Sequence, residues 1–255
     1  MSSAGHHHHH HAHGHAHGHA PQNHGHQDRA EANRAHFNEH THLFNEWPHA
    51  KERRERTIEA LLKYNTLDKE NTTVLEFACG TGLISAGILP HVKSVLGVDI
   101  SDEAVKLFNE RSEKEGVLDR CRGIAVNIET DKGALQGQKF DMIFCSSSYH
   151  HFENPSAITK LLAGYLKPTG TLVVIDHLAT GDAIPDSHKH IVAVQGFSEE
   201  DMKRIFGEGG LEMTLYEVIR SSEEGDRELF VAKGVLKELA INVRGPSVCI
   251  GNLLG

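Results

Sequence analysis

The chain has 255 residues, 38% hydrophobic and 24% charged, with a formal charge of −9 when its 22 histidines are neutral. That length holds one sizeable domain plus tails, and the negative balance disfavours general nucleic-acid binding. No apolar run approaches the roughly 18 residues of a membrane span, so no membrane partner is expected.

In chain order, the first feature is "HHHHHHAHGHAHGHA" over 6–20, and 16 of the 22 histidines fall in the first 49 residues. Residues 1–28 hold almost nothing that can form a core, and a disordered His-rich arm is expected there. Mild acid would make it strongly cationic. The arm lacks the apolar stretch of a signal peptide. Residues 29–66 carry a helical pattern interrupted by Pro48, with Phe37, Leu43, Phe44 and Trp47 ahead of "KERRERTIEALLKY"; this predicts a small helical cap.

From 67 to 234 strand and helix patterns alternate. "TTVLEFA" (72–78) is a β-rich apolar run followed by "CGTG", then a helix over about 82–89 stopped by Pro90. "SVLGVD" is the second strand, and Ser101 and Gly116 bracket the helix after it. "CRGIAVNI" and "KFDMIFCSS" are the third and fourth strands. "SAITKLLAGYLKPTG" (156–170) is expected as one amphipathic helix closed by Pro168 and Gly170, and "TLVVID" as the fifth strand. "SEEDMKRIF" opens with a Ser-x-x-Asp cap, and "EMTLYEVI" and "RELFVAKG" read as an antiparallel hairpin. The tail, 235–255, has no assigned place. Five strands separated by crossover-length segments predict an α/β fold with a doubly wound, mainly parallel sheet. Three of the cysteines, Cys79, Cys121, Cys145 and Cys249, lie in or beside strands and none forms a CxxC pair. Reduced thiols and a cytoplasmic location are therefore expected.

Such sheets bind ligands outside the carboxyl ends of their strands. The first strand ends in Glu76-Phe77-Ala78-Cys79-Gly80-Thr81-Gly82, whose glycines permit a sharp turn and close approach of a ligand. The second ends in Asp99 and Ile100, and a carboxylate at that place accepts both hydroxyls of a ribose. Asn127 and Ile128 end the third, a polar edge beside an apolar face. The fourth ends in Cys145–His151, "CSSSYHH". Gly-x-Gly followed by an acid at the next strand end fits adenosine, carried either by a dinucleotide or by S-adenosylmethionine. The dinucleotide fingerprint wants glycine where this chain has Ser85. Glu76 adds negative charge suited to an ammonium and sulfonium.

Together "VLEFACGTG", "VLGVDIS", "KFDMIFCSSSYHHFENP" and "LKPTGTLVVID" resemble the class I, seven-stranded, Rossmann-like S-adenosylmethionine-dependent methyltransferases. The resemblance implies strand order 3-2-1-4-5-7-6. It implies that Glu76, Ala78, Gly80 and Gly82 border the methionine end, with Asp99 on the ribose and Asn127 and Ile128 on the adenine. It also implies cofactor contacts at Ile100 and Cys145. The Asn-Pro-Pro-Tyr motif of amino-group methyltransferases is replaced by "SSSYHH", so no substrate chemistry carries over.

Methyl transfer needs a base only when the nucleophile must lose a proton. Tyr149, His150, His151 and Asp176, at the ends of the fourth and fifth strands, are the candidates. The N-terminal tract is open to several readings. A six-His run alone is a purification tag, which leaves His13, His15, His17 and His19 unexplained. Neutral imidazoles bind nickel, copper or zinc, and His6, His8, His10, His13, His15, His17 and His19 form a candidate metal tract. In an extended chain His-Ala-His-Gly-His presents imidazoles about 6.6 Å apart on one face. That ladder resembles the substrate of protein histidine methyltransferases that favour His-x-His. A tethered arm of about 28 residues reaches roughly 30 Å. Histidine N-methylation of such segments, including His13, His15, His17 and His19 of the chain's own arm, is the leading expectation. A small-molecule acceptor in a cavity beneath a cap of Phe37, Phe44 and Trp47 is the rival. A metal-binding protein on a vestigial methyltransferase fold is the third.

Overall fold

Seven runs rich in apolar residues become seven strands, the central ones largely buried and the two at the sheet edges partly exposed. In a computed structural model, residues 24–43, 46, 49–181, 183–223 and 225–237 are described, without the side chains of 24–28. The strands are β1 (Thr73–Phe77), β2 (Ser94–Asp99), β3 (Cys121–Ala125), β4 (Phe140–Ser146), β5 (Leu166–His177), β6 (Leu211–Ile219) and β7 (Leu229–Leu236). Their order is β3-β2-β1-β4-β5-β7-β6, as expected. The first five run parallel, and β7 is antiparallel to both β5 and β6. β1 lies between β2 and β4, so the chain reverses its winding there and opens a crevice at the strand ends.

Alternate side chains feed two cores. Leu75, Phe77, Ile143, Cys145, Tyr149, Phe206 and Phe230 pack on one face of the sheet. Val74, Phe144, Val173, Ile175, Val231, Leu61 and Phe108 pack on the other. The helices on these faces are α3 (Leu83–Ile88), α4 (Asp102–Lys114), α5 (Pro155–Ala163) and α6 (Glu199–Glu208). Ser101 accepts from the Ala104 amide at 3.1 Å to start α4. Ser198 and Asp201 close a reciprocal capping box on α6.

The helix expected over 156–170 is a correction. It stops at Ala163, and Leu166–Gly170 already belong to β5. Leu166 pairs with Phe140 and Thr171 with Met142, so the intervening residues form an irregularity in the ladder. Gly170 is needed in it, because a Cβ there would sit 2.7 Å from the Phe140 carbonyl oxygen. Pro168 and Gly170 thus mark a bent strand rather than a helix end. β3 stops at Ala125, short of Asn127 and Ile128. β7 runs through Val235 and Leu236, which pair with Glu212 and Leu211, past the boundary expected at 234.

Ahead of the sheet lie α1 (His24–His40) and α2 (Ala50–Tyr64). α1 is tied to the start of α4: Ser101 Oγ donates to Asn38 Oδ1 at 2.7 Å, and Arg34 Nη2 lies 2.7 Å from Asp102. α2 packs on α3, where Ile58 leaves no room for a side chain at Gly87. Phe44, Trp47 and the arm residues His6, His8, His10, His13, His15, His17 and His19 lie outside the described residues. Among the described residues no helix is long and apolar enough to cross a membrane.

Candidate active site

The turn after β1 is wound into positive φ at Ala78 (57°), Gly80 (51°) and Gly82 (70°), so its backbone bends sharply over the sheet end. Asp99 supports the turn from β2. Its Oδ2 accepts from the Gly80 amide at 2.7 Å, and its Oδ1 accepts from the Ser101 amide at 2.8 Å. Each oxygen keeps acceptor capacity. Burial raises the Asp99 pKa against these hydrogen bonds. Glu76, buried beneath the turn, accepts from the Ser85 amide at 3.1 Å and from the Ser85 hydroxyl. Burial pushes its carboxyl up to about 8, and the Asp99 charge adds to the shift.

These groups open into a cavity of about 800 Å³. Glu76, Ala78, Gly80, Asp99, Ile100, Asn127 and Ile128 line one end, and His150, His151 and His177 line the other. Four expected site residues lie off this wall: Gly82, Cys145, Tyr149 and Asp176. Gly82 is off the wall; a Cβ there would lie 2.4 Å from the Phe108 ring, so close packing of α4 demands glycine. Cys145 is buried in the core, and burial raises its thiol pKa well above the ordinary value. Tyr149 is fully buried, with its hydroxyl 3.2 Å from Thr159 Oγ1. Burial raises the Tyr149 pKa, so the hydroxyl keeps its proton.

His150 and Asp176 form a pair at the histidine end. His150 Nδ1 donates to Asp176 Oδ1 at 2.7 Å, and the His150 amide approaches Oδ2 at 3.2 Å. The His177 amide also donates to Oδ1, at 2.7 Å. Asp176 is fully buried behind His150, off the cavity wall. Burial opposes its ionisation, but its interaction with His150 and the hydrogen bond from the His177 amide hold it below the ordinary carboxylate range. His150 stacks on His177 at 4.8 Å between ring centroids and lies 4.1 Å from His151. His151 Nδ1 donates to the Ile191 carbonyl at 2.8 Å. Burial lowers His151 to about 3 and His177 to about 4, so both rings are neutral. Ring nitrogens of His150 and His177 and a carboxylate oxygen of Asp176 lie within 4.8 Å of one another, a spacing compatible with a metal. His150 Nδ1 and Asp176 Oδ1 already spend that capacity on each other.

Further walls come from outside the sheet. α1 contributes Arg29, His36 and Phe37, α2 contributes Arg53, Arg54 and Thr57, and the loop before α6 contributes Ile184, His188, Ile191 and Gln195. Arg29 fastens α1 to that loop: its Nη1 donates to the Lys189 carbonyl at 3.0 Å and the Val192 carbonyl at 3.2 Å, and its Nε pairs with Glu153 at 2.8 Å. The loop returns to the histidine end, because the Ala193 and Val194 amides donate to the His150 carbonyl at 2.8 and 3.1 Å. The sequence reading missed Arg54, Arg227, His36, His188 and Gln195. The only signal was the run of charges in "KERRERT", which reads equally well as a solvated helix face.

A methyltransferase-domain family model matches residues 68–215. The chain belongs to the methyltransferase-domain family. The chain is 35% identical over 123 residues to an uncharacterized methyltransferase of Schizosaccharomyces pombe, covering 46% of this chain and 43% of the yeast protein. It is 32% identical over 106 residues to a ubiquinone biosynthesis O-methyltransferase of Xanthomonas axonopodis pv. citri, covering 42% and 43% of the two chains. The matches thus span less than half the length of these curated relatives. In fold, the chain resembles the magnesium protoporphyrin IX methyltransferase of Synechocystis, solved with bound S-adenosylhomocysteine. The TM-score is 0.64 at 16% identity, over 82% of this chain and 100% of that one.

Proposed function

We propose that this chain is an S-adenosylmethionine-dependent methyltransferase acting on a small molecule whose nucleophilic atom carries a proton. One observation carries the reading: a single cavity joins the Gly80–Asp99 end to the His150–Asp176 end. Its volume, about 800 Å³, is near the top of the range for small-molecule sites, with room for a cofactor and an acceptor together.

The residues present fit the cofactor. Asp99 retains acceptor capacity for a ribose diol, and Asn127 and Ile128 offer a polar edge and an apolar face. Glu76 sits where an ammonium would pair with it. Arg54, which has no acidic partner among the described residues, suits a carboxylate. When bound, the cofactor supplies an electrophilic methyl carbon on sulfur. The protein's work is then to position the acceptor, exclude water and take its proton. Asp176 fixes the His150 tautomer with Nδ1 protonated, so Nε2 is the basic nitrogen. With a cofactor and an acceptor bound, Nε2 of His150 would take the proton that the acceptor atom loses on methylation. Tyr149 and Cys145 belong to the packing beneath this site. In this reading residues 29–66 are the cap and residues 67–236 the catalytic domain.

Other proteins support the small-molecule class by name: the ubiquinone O-methyltransferase and the magnesium protoporphyrin IX methyltransferase act on small molecules. The cavity lined by Phe37 points the same way. One observation supports the second reading, methylation of the chain's own histidines at His13, His15, His17 and His19. α1 begins at His24, and Arg29 on the same helix lines the cavity, so the histidines in question precede, in the chain, a helix that forms part of the wall. The test is calorimetry with S-adenosylmethionine and S-adenosylhomocysteine, followed by intact mass after incubation. Binding without added mass supports a separate acceptor, and methyl increments on the N-terminal peptide support the arm. No binding to folded protein overturns the proposal.

A further inference from the structure

We infer that Arg227 forms an anion subsite in the acceptor end of the cavity, so that the acceptor is an acid, carrying a carboxylate beside its protic nucleophile. This rests on the small-molecule reading above.

Arg227 lines the cavity with His150 and His177. β7 places it there. His177 pairs with Leu229, and the Leu178 amide donates to the Glu228 carbonyl at 3.0 Å, so Arg227 follows directly at the open end of the same ladder. Its charge is felt at the His177 ring. The only side-chain hydrogen bonds of Arg227 among the described residues go from Nη1 to Gln195, at 3.0 Å to Oε1 and 3.3 Å to the carbonyl. Both acceptors are neutral amides. Gln195 continues the segment whose Ala193 and Val194 amides hold the His150 carbonyl, which ties Arg227 to the wall that carries the base.

The neighbouring acid does not neutralise it. Asp226 is buried and spends its two oxygens on Arg53 Nε at 2.9 Å and on Arg56 Nη2. Glu153, also on the wall, pairs with Arg29. Arg227 is therefore a half-buried guanidinium with uncommitted N–H donors and no carboxylate of its own, on a wall that it shares with Phe37, Phe152, the neutral rings of His151 and His177, and the already paired Asp226 and Glu153. A charge in such surroundings is costly unless paired. A guanidinium also presents two parallel donors that match a carboxylate. An acid held at Arg227 would have the remainder of its skeleton directed along the wall toward His150.

The experiment uses the full chain saturated with S-adenosylhomocysteine and a panel of phenolic carboxylic acids, each with its matched neutral carboxamide. The panel is titrated by calorimetry against wild type, Arg227→Gln and Arg227→Lys. Wild type is expected to favour acids over carboxamides by about tenfold to a hundredfold, the size of a charge-assisted hydrogen bond. Arg227→Gln should abolish the ratio while leaving S-adenosylhomocysteine affinity unchanged, and Arg227→Lys should keep part of it. Equal binding of acids and amides to wild type, or a ratio that survives in Arg227→Gln, overturns the subsite while the methyltransferase reading stands. This wild-type comparison decides the matter even if a variant fails to fold. Loss of S-adenosylhomocysteine binding by folded wild type would overturn that reading, and the subsite with it.

Discussion

His150 Nδ1 donates to Asp176 Oδ1 at 2.7 Å, with the carboxylate fully buried and the imidazole on the cavity wall. The acid lies on β5 and the histidine beyond β4, so neighbouring parallel strands bring together residues 26 positions apart. Asp176→Asn should lower kcat by about a hundredfold to ten-thousandfold, the span of a general base with its correct tautomer. His150→Gln should cost a similar factor, and the double variant little more than either alone, because the two act as a unit. Steady-state kinetics in parallel with S-adenosylhomocysteine titration checks this. A cofactor affinity that falls together with kcat would assign the pair to packing.

Glu76 sets a proton linkage. Its carboxyl rises to about 8 in the fold from an ordinary 4.5, chiefly through burial. Between those values the folded chain holds a proton that the unfolded chain has released, so this group's contribution to stability is lost as pH rises through about 8. Wild type should therefore lose thermal stability relative to Glu76→Gln between pH 6 and pH 9. An ammonium pairing with Glu76 must expel that proton. Cofactor binding below pH 8 should release protons, read as a dependence of the calorimetric heat on buffer ionisation enthalpy.

His151 and His177 produce the opposite sign. Burial holds them at about 3 and about 4, against an ordinary 6.5. His151 faces the His150 ring, the Phe37 ring and the Ile191 carbonyl; His177 faces Asp176, His150 and the charges of Arg53 and Arg227. The unfolded chain takes up these protons first, so stability is present above pH 6.5 and lost as pH falls toward 4. His177→Asn should shrink this acid loss in denaturant titrations at stepped pH. An unchanged slope would show that the ring is already protonated in the fold.

Asp226 joins the cap to the sheet. Its side chain is 1% exposed and meets Arg53 and Arg56, the latter 8% exposed. Asp226→Asn leaves the Arg56 guanidinium buried with its other partners, Glu52 and the carbonyls of Ile219 and Arg227. The expected cost is about 3–5 kcal/mol, as for breaking one side of a buried ion pair. Chemical denaturation checks this. Replacing Asp226 and Arg56 together by apolar residues should cost less than the single change.

Much of this protein is determined locally and can be read from the chain. Short runs dominated by apolar and β-branched residues mark the strands, since the middle of a sheet covered on both faces hides them. Ser101 and Ser198 announce helix starts because their hydroxyls replace missing backbone partners nearby. The Glu76–Gly82 turn and Asp99 carry a cofactor signature because the backbone conformation and the carboxylate needed there are rare in combination. Lys167–Gly170 misled, because Pro and Gly stop a helix and bend a strand alike, and only pairing with Phe140 decides which.

Tertiary structure alone settled what depends on distant partners. Tyr149, His150 and His151 are consecutive, yet one is sunk in the core and two face the cavity, through a single turn whose direction is set by Asp176 on another strand. Gly82 looked like a ligand contact and is instead where Phe108 packs. Arg227 carries no local signal: what distinguishes it is that Asp226 is already claimed by α2, some 170 residues earlier. Local conformation follows from a residue and its neighbours, whereas burial, pairing and uncompensated charge exist only once remote segments have met.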